Sequence, residues 1–98
     1  MKIWLDDIRP APCGYIHVRN LKALRALIDS TSDPVVIIEV MSLDHDLGQD
    51  EPDGYEIIKW FAENHLNRWP VSVLVHSANP PGAANIKAFD EFVRRRLL

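Results

Sequence analysis

The sequence predicts a small α/β fold in which about four parallel strands form one open sheet, with helices in a three-layer arrangement. Short apolar runs of strand length alternate with segments whose apolar residues recur at helical spacing. No hairpin turn joins neighbouring strand candidates, so the segments between them act as crossovers, which are right-handed as a rule. With 98 residues, of which 47% are hydrophobic and 26% charged, the chain fits a single domain over residues 1–98.

Each element is placed by its periodicity and by the residues that start or stop it. Asn20 is a suitable N-cap for the first helix, and Glu39 interrupts the β-branched stretch before the central strand. Pro80 and Pro81 can start a helix but cannot lie within one. In chain order we expect a strand at 2–5, a proline-rich loop at 8–14, a short edge strand at 15–18, a helix from 21 that ends at 30–34, a stretch at 35–43 that includes the central strand, a helix from 54, a strand at 71–75, a turn at 79–82 and a last helix.

Composition narrows the classes of partner and compartment. A net charge of -3 argues against broad electrostatic binding to nucleic acid, although a few placed cations can still hold one phosphate-bearing end. The single Cys13 cannot form an internal disulfide, and no leader-like segment precedes the first strand, which predicts a cytoplasmic location. No apolar run approaches the ~20 residues of a membrane span, so no membrane partner is expected. The exposed edges of so small a sheet allow a homodimer.

Polar residues directly follow three of the apolar runs. They are Asp6-Asp7, Asp44-His45-Asp46 and His76-Ser77. The carboxyl ends of parallel strands lie at one edge of a sheet, where open α/β folds bind ligands. Because Mg²⁺ and Mn²⁺ prefer carboxylate oxygens, the sequence predicts Asp6, Asp7 and Asp44 as metal ligands. The alternative is that Asp6 and Asp7 cap a loop and pair with Arg9.

Two histidines beside these acids are candidates for proton transfer. Imidazole has an ordinary pKa near ~6.5, so His76 and His45 are predicted to be catalytic; the alternative for His76 is a neutral ring bonded to backbone. Ser77 is predicted to bond a phosphoryl oxygen rather than to attack, because no Gly-x-Ser-x-Gly turn surrounds it. Arg9 and Asn79 are predicted to bind the phosphate-containing substrate, Arg9 by bidentate hydrogen bonds.

The motifs resemble those of a known family. An acidic pair after the first strand, an aspartate after the central strand and a serine after the following strand look like a two-component receiver domain. The fuller strings Ile3-Trp4-Leu5-Asp6-Asp7, Arg9-Pro10, Ser42 to Gly48, Gly54-Tyr55 and Val75 to Pro80 resemble the derived group called cyclic-phosphate processing receiver domains. The resemblance spans nearly the whole chain and implies a truncated receiver, or flavodoxin-like, fold.

The resemblance also sharpens one ambiguity among the acids. A receiver holds Mg²⁺ with its acidic pair and phosphorylates its central aspartate. Counting back from Asp53-Gly54 gives Asp46 the receiver spacing, whereas the end of the strand favours Asp44. We assign Asp44 as the metal ligand and Asp46 as a catalytic carboxylate that orients an imidazole. The proline-rich loop replaces a receiver's first helix, and its phosphate-contacting lysine has no counterpart before Leu98.

Three functions from different classes follow. The first is a metal-dependent phosphoesterase that acts on a cyclic phosphate, with an RNA end as the substrate that the resemblance implies. The second is a signalling receiver phosphorylated on Asp44 or Asp46. The third is a non-catalytic module that binds a phosphate or a protein through the same sheet edge.

Overall fold

The computed structural model describes residues 1–31 and 36–97. The expected helix end at 32–34 and the first residue of the β-branched stretch, residue 35, lie outside these ranges. The elements are β1 (Lys2–Leu5), β2 (Tyr15–Val18), α1 (Leu21–Ser30), β3 (Val40–Leu43), α2 (Gly54–His65), a 3-10 turn (Leu66–Arg68), β4 (Ser72–Val75) and α3 (Pro80–Leu97).

The four strands form one fully parallel sheet in the order β2-β1-β3-β4, with the short β2 at an edge. Leu5 pairs with Leu43, which pairs with Val75, so the three strands end at the same level. This register brings the residues that follow β1, β3 and β4 to one edge of the sheet. The predicted four-stranded parallel α/β fold, receiver-like in class, is confirmed.

The number of helix layers differs from the prediction. One buried cluster contains the alternate strand residues Ile3, Leu5, Met41 and Leu43 together with residues of all three helices, which are Leu24, Ile28, Ile57, Ile58, Phe61 and Ile86. The crossovers from β2 to β3 and from β3 to β4 run in the same direction, and right-handed crossovers then place both helices on the same face. The described residues therefore form two layers, where three were expected.

Local sequence explains where α2 and α3 begin. Asp53 forms a capping box with Glu56 at the start of α2. Asn79 accepts a hydrogen bond from the Gly82 N–H at 3.0 Å and so caps α3. The turn expected at 79–82 is thus the cap and first turn of α3. No helix in the described ranges is long and apolar enough to cross a membrane.

Candidate metal and phosphate site

Three carboxylates converge at the carboxyl edge of the sheet. Asp6 and Asp7 follow β1, Asp44 follows β3, and one oxygen from each lies within 4.8 Å of the other two. Asp6 is 1% exposed and Asp44 is 7% exposed, so two of the three charges are buried. The geometry groups Asp44, not Asp46, with the acidic pair.

The Asp6 carboxylate is held on both of its oxygens. Its Oδ1 accepts hydrogen bonds from the N–H groups of Ile8 (2.9 Å) and Arg9 (2.8 Å), and its Oδ2 lies 3.0 Å from His76 Nε2. Burial alone would raise the pKa of Asp6, but these hydrogen bonds favour the ionised form and hold the pKa below its ordinary value. Asp6 is therefore a buried anion at neutral pH.

His76 is engaged at both ring nitrogens. Nε2 faces Asp6, Nδ1 lies 2.7 Å from the hydroxyl of Ser42, and the ring stacks on Trp4 with centroids 3.6 Å apart and planes 5° from parallel. Burial lowers the pKa of His76 more than the charges of Asp6 and Asp44 raise it. The imidazole is therefore neutral at pH 7.

A cleft of about 470 Å³ opens beside the three carboxylates. Its lining consists of Asp6, Asp7, Ile8, Arg9, Asp44, Asp46, Gly48 and Ala78. The predicted site residues Arg9 and Asp46 thus border the cleft together with the predicted ligands. His45, His76 and Ser77 lie outside its lining, and so does Asn79.

Arg9 is the cation of the cleft lining. Its Nη1 lies 3.6 Å from Asp6 Oδ2 and donates to the backbone oxygen of His76 at 2.7 Å. Its side chain is 46% exposed, so the guanidinium keeps contact with solvent. The expected pairing with Asp6 is therefore present as a loose contact that leaves donors for a phosphate.

His45 and Asp46 form a second polar group next to the cleft. His45 Nδ1 lies 3.0 Å from Asp46 Oδ1, and Asn79 Nδ2 donates to Asp46 Oδ2 at 3.3 Å. The hydrogen bonds from His45 and then from Asn79 lower the pKa of Asp46. The other ring nitrogen of His45 lies 3.6 Å from Asp53, and a Cβ at Gly82 would overlap the His45 ring. His45 is thus packed between the starts of α2 and α3.

Ser77 and Asn79 form hydrogen bonds within the chain. Ser77 Oγ accepts a hydrogen bond from the Asn79 N–H at 3.0 Å, and Asn79 Oδ1 caps α3. The start of α2 is equally close to the site, since a Cβ at Gly54 would overlap the Asp44 carbonyl oxygen. These contacts fix where Asp44 and Asp46 lie relative to both helices.

Sequence reasoning missed Ser42 and Trp4. Both occur in apolar runs, and the register pairs them directly across β1 and β3. The hydroxyl of Ser42 within Val40-Met41-Ser42-Leu43 was the available signal, because a buried hydroxyl requires a hydrogen-bond partner. Trp4 gave no comparable signal, since an aromatic residue in a strand is ordinary.

The four-stranded parallel sheet, with an acidic pair after β1 and a buried aspartate after β3, defines a receiver-like α/β domain. The family model for the cyclic-phosphate processing receiver domain matches residues 1–90. The chain belongs to this family and is therefore a receiver domain associated with cyclic-phosphate processing. No curated protein and no solved structure gave a significant match.

Proposed function

We propose that this domain is a Mg²⁺- or Mn²⁺-dependent phosphoesterase that opens a cyclic phosphodiester, such as the 2′,3′-cyclic phosphate of an RNA end. The observation that carries the proposal is the convergence of Asp6, Asp7 and Asp44 in one cleft beside Arg9. Membership of the family supports a cyclic phosphate as the substrate class.

The donor set fits a hard divalent cation. Mg²⁺ and Mn²⁺ take carboxylate oxygens together with water and phosphate oxygens, and three close carboxylates repel one another without a cation. Asp6, Asp7 and Asp44 would hold the ion, with their oxygens within 4.8 Å of one another. When bound, a divalent cation supplies Lewis-acid polarisation of a phosphate oxygen.

Arg9 is suited to bind the phosphate. Its guanidinium is always charged and carries five N–H donors. The hydrogen bond to the His76 carbonyl is made by Nη1. It borders the cleft beside the acids, so one phosphate group could contact both Arg9 and a cation held by the acids. Arg9 therefore orients the substrate and offsets part of its charge.

Asp46 is suited to accept a proton. It borders the cleft, it is 68% exposed, and its lowered pKa keeps it ionised at neutral pH. Water adds to phosphorus, its proton passes to Asp46, and the bond from phosphorus to one ribose oxygen breaks. That oxygen takes a proton from solvent, so the products are a phosphomonoester and a free hydroxyl. We prefer Asp46 to His76 because each Asp46 oxygen has one hydrogen bond and a second acceptor position, whereas each His76 nitrogen has its single position occupied.

Asp46→Asn separates this chemistry from metal binding. We expect the variant to lower the turnover of a 2′,3′-cyclic mononucleotide in Mn²⁺ by about 10²–10⁴-fold, the range for loss of general base catalysis, while Mn²⁺ affinity stays near that of the wild type. Asp44→Asn should lower both. Asp50→Asn, at an exposed acid outside the cleft lining, is the matched control and should lower neither.

Three outcomes would contradict the phosphoesterase. Turnover that persists in excess chelator excludes a metal-dependent reaction. Phosphorylation of Asp44 or Asp46 by acetyl phosphate, without turnover of the cyclic nucleotide, favours the signalling receiver. Saturable binding of the nucleotide with neither reaction favours a non-catalytic phosphate-binding module.

A further inference from the structure

We propose that Ser42 is a positioning residue of this site, whose hydroxyl fixes His76 as the Nε2–H tautomer and thereby fixes the Asp6 carboxylate. The inference rests on the proposed function in so far as Asp6 is taken as a metal ligand. It assigns a role to a buried hydroxyl in the middle of β3 that the reaction itself does not use.

The direction of each hydrogen bond follows from which groups can donate and which can accept. The Asp6 carboxylate already accepts two backbone N–H groups on Oδ1 and acts as an acceptor, so the proton on the 3.0 Å contact between Asp6 Oδ2 and His76 Nε2 belongs to the ring. A neutral imidazole then presents a lone pair at Nδ1. The Ser42 hydroxyl, 2.7 Å away, must donate to that lone pair. The opposite tautomer would set the Nε2 lone pair against a carboxylate.

Lone-pair counting explains why this matters to Asp6. A carboxylate offers about four acceptor positions, two on each oxygen. The N–H groups of Ile8 and Arg9 take both positions on Oδ1, and His76 takes one on Oδ2. The remaining position belongs to Oδ2, which Arg9 Nη1 approaches only to 3.6 Å, so the His76 N–H decides which lone pair of Asp6 is left for a cation.

The ring has little freedom to find another arrangement. Trp4 stacks on one face of His76 at 3.6 Å, and Ser42 is 3% exposed, which leaves no ready access for a substitute water. Trp4 and Ser42 are paired across β1 and β3, so the backbone register itself holds the stack and the hydroxyl together. Partners that hydrogen-bond a metal ligand directly, as His76 does Asp6, change metal affinity by about 10–100-fold when they are removed, so we expect Ser42, which acts through His76, to contribute at the lower end of that range.

The experiment reads the His76 tautomer by ¹⁵N-detected imidazole NMR and measures the Mn²⁺ dissociation constant on the same proteins. In the wild type we expect the Nε2–H pattern. In Ser42→Ala we expect loss of the hydrogen-bonded Nδ1 shift, faster exchange of the Nε2 proton and about tenfold weaker Mn²⁺ binding. Ser42→Thr keeps the hydroxyl and should restore both. Ser72→Ala, on the same face of neighbouring β4, is the matched control and should change neither.

A double variant distinguishes the positioning role of Ser42 from a folding defect. His76→Ala removes the ring through which Ser42 would act on Asp6. In His76→Ala, the further change Ser42→Ala should therefore not weaken Mn²⁺ binding again. A Ser42→Ala protein with wild-type His76 signals and wild-type affinity overturns the positioning role, as does equal weakening in the His76→Ala background. A wild type that binds no Mn²⁺ overturns the proposed function instead, while its NMR signals still decide whether Ser42 sets the tautomer.

Discussion

The Asp6 side chain is held on both of its oxygens, and its partners come from two parts of the chain. Two N–H groups from the loop after β1 hold one oxygen, and His76 from the end of β4 holds the other. Such an arrangement keeps a buried carboxylate ionised beside two others. The result is a concentration of negative charge at this edge of the sheet, where we propose that a cation binds.

The lowered pKa of His76 predicts acid sensitivity. The unfolded chain protonates this ring near its ordinary value of 6.5, whereas the folded chain does so only at lower pH. The unfolded state therefore binds more protons below about pH 6.5, and stability falls from there until the folded pKa is reached. Urea unfolding across this range should show a steeper loss in the wild type than in His76→Gln. Parallel curves would mean that His76 is not buried as a neutral ring.

Asp6 adds a separate loss at lower pH. Its pKa is lowered from 3.8 in the folded state, so its contribution is fully present above about pH 3.8 and is lost as pH falls through the folded value. Protonation of either group lowers the stability of the fold, but the loss begins near pH 6.5 for His76 and near pH 3.8 for Asp6. Asp6→Asn should remove the lower loss and, because the Asp6 charge raises the pKa of His76, should extend the His76 loss to lower pH.

The sequence predicted the grouping of the acids but not the partners of the histidines. Asp6, Asp7 and Asp44 were located by the ends of apolar runs, because parallel strands bring such ends together. The partners of His76 depend on how β3 pairs with β1 and β4, and one residue of register decides whether Ser42 or Met41 faces it. No local pattern carries that information.

The secondary-structure elements position the site through the starts of α2 and α3. Asp53 caps α2 and lies 3.6 Å from His45, while Asn79 caps α3 and donates to Asp46. Both helices thus begin against the loop that follows β3. The order and type of the elements were predictable from periodicity, whereas the two-layer arrangement depended on the handedness and direction of the crossovers.

Removal of the α2 cap tests this link. Asp53→Ala leaves the Glu56 N–H without its 2.8 Å acceptor and should lower the free energy of unfolding by about 1 kcal/mol, measured by urea denaturation. Glu51→Ala, at an exposed acid in the same loop, should stay within about 0.5 kcal/mol of the wild type. Equal effects of the two changes would show that the cap adds no stability.

At the scale of the whole molecule, one sheet with helices packed on one core cluster supplies three strand ends and two helix starts to a single edge. The chain is a cyclic-phosphate processing receiver domain, and the chemistry that we propose for its site depends on a cation that Asp6, Asp7 and Asp44 would hold. A ligand that binds only the folded state stabilises it by mass action, by about 2.7 kcal/mol at a hundred times the dissociation constant.

The most direct test is calorimetric titration of Mn²⁺ into the wild type and Asp7→Asn at constant ionic strength, with Asp50→Asn as the control. We predict one saturable site in the wild type, unchanged affinity in Asp50→Asn and at least about tenfold weaker binding in Asp7→Asn, since one of three ligand charges is lost. A wild type without saturable binding, or an Asp7→Asn protein that binds as tightly as the wild type, would contradict the account.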